Sequence, residues 1–179
     1  PEIAFAISLA SQHMSNPSEK HLTLAFHILR YLYGNRTKKM TMRRSAKFDL
    51  NKLVTILCDA DLGGDRHSSR SRTAWYAFFF GVLVGWNSRL QPSVSLSTAE
   101  AEYTALASAG RFAVWIRGLL ADFGIETSLT VPVTILSDNQ SAIAIAESPV
   151  PIMHKHSRHI DRRLHWLKEK VHSAEILLG

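Results

Sequence analysis

Apolar residues first recur at helical spacing. Phe5 to His13 carries one short helical signal, and a longer one follows in which Leu22, Ala25, Phe26, Leu29 and Leu32 share a single stripe that requires a partner surface. Asn16-Pro17-Ser18-Glu19 opens the second helix, with Asn16 as N-cap, Pro17 at the first helical position and Glu19 at the third; Gly34 closes it. From Leu53 the period changes. Leu53-Val54-Thr55-Ile56-Leu57 is a β-branched run ending in Asp59-Ala60-Asp61 and the turn Gly63-Gly64. Thr73 to Phe80 and Val82 to Asn87 flank Gly81, as two strands do around a turn that needs an unrestricted backbone. Ser97-Thr98-Ala99-Glu100 then begins a helix running to about Phe123, with Ser97 or Thr98 as cap and Gly124 past its end. Val131 to Leu136 predicts a fourth strand ending at Ser137-Asp138-Asn139-Gln140, and Ser141 to Ala146 a short helix. A loop rich in His and Pro (Ser148 to His159), a helix from Asp161 to about His172 and a last strand at Glu175-Ile176-Leu177-Leu178 complete an α/β pattern.

Composition narrows the functional classes. A chain of 179 residues, 46% hydrophobic, buries a real core. The 21 Lys and Arg exceed the 15 Asp and Glu by 6, and a sequence pI of about 9.7 favours a polyanionic partner such as nucleic acid. The basic run Arg36, Lys38, Lys39, Arg43, Arg44 reads either as a solvated connector or as a contact for a phosphate backbone. A single cysteine, Cys58, excludes an internal disulfide and a Cys-rich zinc site, which fits a reducing intracellular compartment (cytoplasm or nucleus) and not secretion. Trp75 to Trp86, the most apolar run, is too short for a membrane helix and is interrupted by Gly81 and Gly85. The opening Pro1-Glu2-Ile3 has no initiator methionine and no signal pattern, so a fragment of a longer chain is expected.

Two aspartates at the ends of apolar strands and a glutamate within a helix suggest a carboxylate cluster. Negative charges that meet in a partly buried place repel one another and resist desolvation, so a shared cation is the usual reason for such a grouping. Oxygen donors select hard cations, Mg²⁺ or Mn²⁺ and not zinc, and two such ions roughly 4 Å apart activate a water and stabilise the leaving oxygen of a phosphodiester. Taken one at a time, Asp59 and Asp138 are also compatible with ordinary turns, and Glu102 with an exposed helix position.

Five motifs then follow in order: Cys58-Asp59-Ala60-Asp61-Leu62-Gly63-Gly64-Asp65, Trp86-Asn87-Ser88-Arg89-Leu90-Gln91, Leu96-Ser97-Thr98-Ala99-Glu100-Ala101-Glu102-Tyr103, Asp138-Asn139-Gln140-Ser141-Ala142 and Arg158-His159-Ile160-Asp161. Together they resemble the ribonuclease H domain of Copia-type retrotransposon polyproteins, from about Val54 to the end. Met14-Ser15-Asn16-Pro17 and His27-Ile28-Leu29-Arg30-Tyr31-Leu32 resemble the end of the preceding reverse transcriptase. The implied organisation is a helical tail over 1–45 and a ribonuclease H-like domain over 50–179, a mixed five-stranded sheet of order 3-2-1-4-5 flanked by helices. The resemblance further implies a metal-dependent endonuclease that cuts the RNA strand of RNA·DNA hybrids during retrotransposon replication, inside a virus-like particle or the nucleus. Asp59, Glu102 and Asp138 become the catalytic metal ligands, for two Mg²⁺ or Mn²⁺ ions in the complete enzyme. Glu102 is preferred to Glu100 because it precedes Tyr103-Thr104-Ala105-Leu106, and Asp59 to Asp61 because the chain is expected to have turned by Asp61. Gln140 becomes a reader of the RNA 2′-hydroxyl, and Ser97, Thr98, Asn139, Arg70 and Ser71 become nucleic-acid contacts.

The chain departs from that pattern in two places. Arg72 and Ala74 stand where the family has a small hydroxyl residue and a glycine. Family members also carry a fourth acidic residue after the fifth strand, whereas this sequence ends at Gly179, so a domain cut before its last helix is expected, with weak cleavage or a non-catalytic hybrid-binding role as the alternative. Asp161 is a substitute by composition, but its place after Arg158-His159-Ile160 suits an N-cap. His154, His156, His159 and His165 raise a zinc site only weakly, and Phe112, Trp115 and Trp166 read as core.

Overall fold

The computed structural model describes residues 1–43, 52–149 and 158–179, with the side chains of 127, 128 and 158–164 left aside. Two N-terminal helices, α1 (Ala4–Ser11) and α2 (Glu19–Gly34), precede β1 (Val54–Asp61), β2 (Arg72–Phe79), β3 (Val82–Leu90), the long α3 (Thr98–Asp122) and a single turn α4 (Thr127–Thr130). β4 (Val133–Leu136), α5 (Gln140–Glu147), α6 (Arg158–His172) and β5 (Ile176–Leu178) follow. The sheet order is β3-β2-β1-β4-β5, as the resemblance implies, with β1, β2 and β3 antiparallel and β1, β4 and β5 parallel.

The elements form where local chemistry favours them. The β2–β3 turn places Phe80 at φ 49° and Gly81 at φ 77°, the paired left-handed geometry whose twist matches a hairpin. Gly81→Ala forces a Cβ into that conformation and is expected to cost about 1–2 kcal/mol of stability, read as a lower urea midpoint with an unchanged m-value. Ser97 caps α3 by accepting the Glu100 N–H at 3.1 Å, while Glu100 Oε2 accepts the Leu96 N–H at 2.8 Å, and Gly124 leaves the helix at φ 80°.

The core lies between α3 and the sheet. Alternation along β1 turns Ile56 and Cys58 inward against Leu106 and Ala109 of α3, and leaves Leu57, Asp59 and Asp61 outside. Ile56, Ile135, Leu106 and Leu167 are fully buried, each stabilising the fold by about 1.5–3 kcal/mol. Gly110 lets α6 approach, since a Cβ there would lie 3.0 Å from Leu167 Cδ1 and 3.2 Å from Ile176 Cδ1. Arg117, buried at the other end of α3, pairs with Glu175 at 3.2 Å and donates to the Leu129 carbonyl at 2.6 Å, fixing the start of β5.

Several expectations require correction. The cap of α2 is Ser18 and not Asn16: Ser18 is extended at φ −102° and ψ 170°, and its N–H is accepted by His21 Nδ1 at 3.0 Å, so the helix starts two residues later. β1 runs on through Asp61 because β2 offers partners that far, pairing Asp61 with Arg72. α6 begins at Arg158, which places Asp161 inside the helix and not at its cap. Trp115 is exposed, touching Phe112 from the outer side, while Phe112 packs on Trp75 and Trp166 lies against the core. The α2 stripe remains uncovered, with Leu22, Phe26, Leu29 and Leu32 exposed. Arg72, in contrast, is buried beneath α1, where it donates to Ser8 Oγ at 2.7 Å and lies 4.8 Å from the Phe5 ring centroid.

Candidate metal centre

Parallel pairing of β1 with β4 sets Leu57 opposite Leu136. Asp59 and Asp138 each lie two residues beyond that pair, so the two strands deliver both carboxylates to the same end of the sheet. α3 crosses β1 and brings Glu102, the fifth residue of the helix, to the same place. One carboxylate oxygen from each of Asp59, Glu102 and Asp138 lies within 4.8 Å of the others. Asp59 and Asp138 are exposed, and Glu102 is 4% exposed.

Glu102 shows the strain of this arrangement. Burial, then the charge of Asp59 and more weakly that of Asp138, raises its carboxyl to about 7, opposed by a hydrogen bond from the Ala60 N–H. Glu102 Oε2 is buried without a hydrogen-bond partner, a costly state for a carboxylate oxygen. A hard cation among the three would satisfy that oxygen and cancel the repulsion, and an all-carboxylate donor set suits Mg²⁺ or Mn²⁺. The residues therefore fit such an ion. Cys58, behind the cluster, is raised to about 12 chiefly by burial and then by the Glu102, Asp59 and Asp138 charges, and remains a neutral thiol.

The rivals stand apart from this cluster. Asp61 lies on the same strand face as Asp59 and lines with it a cavity of about 300 Å³ under α1, together with Arg72 and Glu2, but does not join the trio. The reason for preferring Asp59 is thus corrected: the chain has not turned at Asp61, and the strand simply carries it past the site. Glu100 is occupied with the Leu96 N–H. His154 and His156 lie outside the described residues, as do the side chains of His159 and Asp161.

The expected nucleic-acid contacts divide by environment. Gln140, the first residue of α5, is exposed beside Asp138, and Asn139 caps α5 by accepting the Ala142 N–H at 2.9 Å. Ser97 and Thr98 are exposed at the start of α3. Arg70 is half-buried and donates through Nε to Ser68 Oγ at 3.0 Å. Ser71 must be corrected, because it is wholly buried and its hydroxyl accepts the Gly63 N–H at 3.3 Å, so it braces a turn and faces no ligand. Gln91 was legible only as part of a motif, since nothing in its local pattern marks it as a buried polar hub.

No family model matches the chain. It is 33% identical over 171 residues, 96% of its length, to the retrovirus-related Pol polyprotein from transposon TNT 1-94 of Nicotiana tabacum. Over 176 residues, 98% of its length, it is 31% identical to the corresponding polyprotein from transposon RE1 of Arabidopsis thaliana. Its homologues over nearly its whole length are thus retrovirus-related Pol polyproteins of plant transposons. It spans 12% of the length of each of these Pol polyproteins. Among solved structures, a ribonuclease H1 isolated from compost is similar over 72% of this chain and 83% of that one, with a TM-score of 0.47 and 14% identity. No helix among the described residues is long and apolar enough to cross a membrane.

Proposed function

We propose that residues 50–179 are the ribonuclease H part of a Copia-type Pol polyprotein, cutting the RNA strand of RNA·DNA hybrids with Mg²⁺ or Mn²⁺ held by Asp59, Glu102 and Asp138, and that residues 1–45 are the tail of the reverse transcriptase. The observation that carries this reading is the convergence of three carboxylates with one buried, unpartnered oxygen among them. Similarity to the Pol polyproteins supports the replication setting, inside the cell. Divalent ions bound there supply the charge that activates a water and stabilises a leaving oxygen. The chain's own groups hold and orient the strand. Gln140 offers both a donor and an acceptor to a 2′-hydroxyl, which separates RNA from DNA. Asn139 keeps its amide nitrogen for a phosphodiester oxygen while its carbonyl oxygen caps α5, and the Ser97, Thr98 and Arg70 side chains donate to the backbone.

The test is incubation of an end-labelled RNA·DNA hybrid with the chain and Mg²⁺ or Mn²⁺, alongside duplex DNA and duplex RNA. Cleavage of RNA in the hybrid only, abolished by chelation, is expected; a chain that neither binds Mn²⁺ nor cuts the hybrid removes this reading. Hybrid binding is expected to persist in chelator and to weaken with salt, at a log–log slope of about −0.9 for each phosphate contacted. A fluorescence anisotropy titration with a slope near zero would argue against a nucleic-acid surface.

A further inference from the structure

Gln91, one residue beyond β3, is 3% exposed and fully engaged. Its Nε2 donates to Thr73 Oγ1 at 3.0 Å and to the Ala101 carbonyl at 2.9 Å, its Oε1 accepts from Ser95 Oγ at 2.9 Å, and its backbone N–H donates to the Ser71 carbonyl at 2.8 Å. Only one amide orientation is possible, because the Ala101 carbonyl can only accept. That carbonyl belongs to the peptide unit joining Ala101 to Glu102. Thr73 is the β2 partner of Ala60, whose N–H donates to the Glu102 carboxylate. A closed circuit results: Ala60 to Thr73 across the strand ladder, Thr73 to Gln91, Gln91 to the peptide preceding Glu102, and Glu102 back to Ala60.

We propose that Gln91 is a positioning residue, a carboxamide clamp that sets the peptide plane entering Glu102 and so aims its carboxylate at Asp59 and Asp138. The proposal rests on Glu102 being a metal ligand. Gln91 does not itself touch substrate or ion. Burying a glutamine to hold a helix start serves aim more than stability, since an apolar residue of equal length would fill the same volume without needing three side-chain partners. Outer-shell partners of this kind typically change metal affinity by about 10–100-fold.

The experiment compares the wild-type chain with Gln91→Met, which keeps length and removes the amide, and with Thr73→Val, which loses only the far end of the clamp. Arg117→Met, at the opposite end of α3, serves as a destabilised control. Mn²⁺ binding is followed by electron paramagnetic resonance, and backbone exchange of Ala101 to Tyr103 by hydrogen–deuterium exchange in chelator. Gln91→Met is expected to raise the half-saturating Mn²⁺ concentration about tenfold and to speed exchange at Ala101 to Tyr103 while leaving α5 unchanged. Thr73→Val should do the same to a lesser degree, and Arg117→Met should lower the melting temperature without either effect. Wild-type exchange at Ala101 to Tyr103 in both clamp variants, or a Mn²⁺ midpoint shifted no more than in the Arg117 control, overturns the proposal. If Gln91→Met fails to fold, Thr73→Val decides on the same criteria. Should the wild-type chain bind no Mn²⁺, the metal centre itself fails, and the exchange data still judge the clamp.

Discussion

Asp138→Asn is expected to lower Mg²⁺-dependent cleavage of an RNA·DNA hybrid by roughly two to three orders of magnitude, the range for deleting one charge-stabilising group from an active site. Asparagine preserves shape and removes the charge that draws a cation to the end of β4. The same substitution should leave the metal-free fold intact and slightly stabilise it, because Asp138 contributes to the repulsion that burdens Glu102. Cleavage rates with hybrid and metal both saturating, together with melting curves in chelator, check the two halves. A variant that still cuts within threefold of wild type would show that Asp138 is no ligand.

The second large effect concerns pH. In the folded chain the Glu102 carboxyl is raised from 4.5 to about 7, principally by burial and then by Asp59. A group whose folded pKa lies above its unfolded value contributes stability that is fully present below the unfolded pKa and is lost as pH rises through the folded one. Metal-free protein should therefore lose about 3 kcal/mol of stability between pH 4.5 and pH 7.5 from this residue. Glu102→Gln should flatten that part of the profile and exceed wild type in stability at pH 8. Mg²⁺ should restore wild-type stability at pH 8 and not that of the variant, because a cation favours the ionised carboxylate. Urea midpoints across pH, with and without Mg²⁺, provide the test, and equal profiles for wild type and Glu102→Gln would sink it.

Much of this architecture is legible in the chain because its determinants are local. A β-branched run, the Gly81 turn and the Ser97-Thr98-Ala99-Glu100 cap each act within a few residues, and the structure places an element at each. The site was legible only through the order of several motifs, since no spacing in sequence implies that Asp59, Glu102 and Asp138 share one corner. What escaped depends on side chains from elsewhere. The α2 cap is decided by His21 reaching back to the Ser18 N–H, not by the intrinsic preference of Asn16. Ser71 suggests a polar surface by composition, yet Gly63 and Gln91 take its hydroxyl and carbonyl inside. Gln91 acquires its role only when the end of β3 meets the start of α3.

The strand order also determines when this corner can exist. The β2–β3 hairpin closes through two residues, Phe80 and Gly81, whereas the Leu57 and Leu136 pairing closes a separation of 136 − 57 = 79 residues. Loop-closure entropy delays contacts between positions that distant, so the hairpin and the helices can assemble while β4 is still free. Asp59 and Glu102 meet once α3 packs on β1, but Asp138 joins them only when β4 docks beside β1, which makes the complete trio a feature of the finished protein and hardly of the route to it. A cation that needs all three carboxylates then acts mainly on lifetime: it slows escape from the native state and leaves the rate of reaching it almost unchanged.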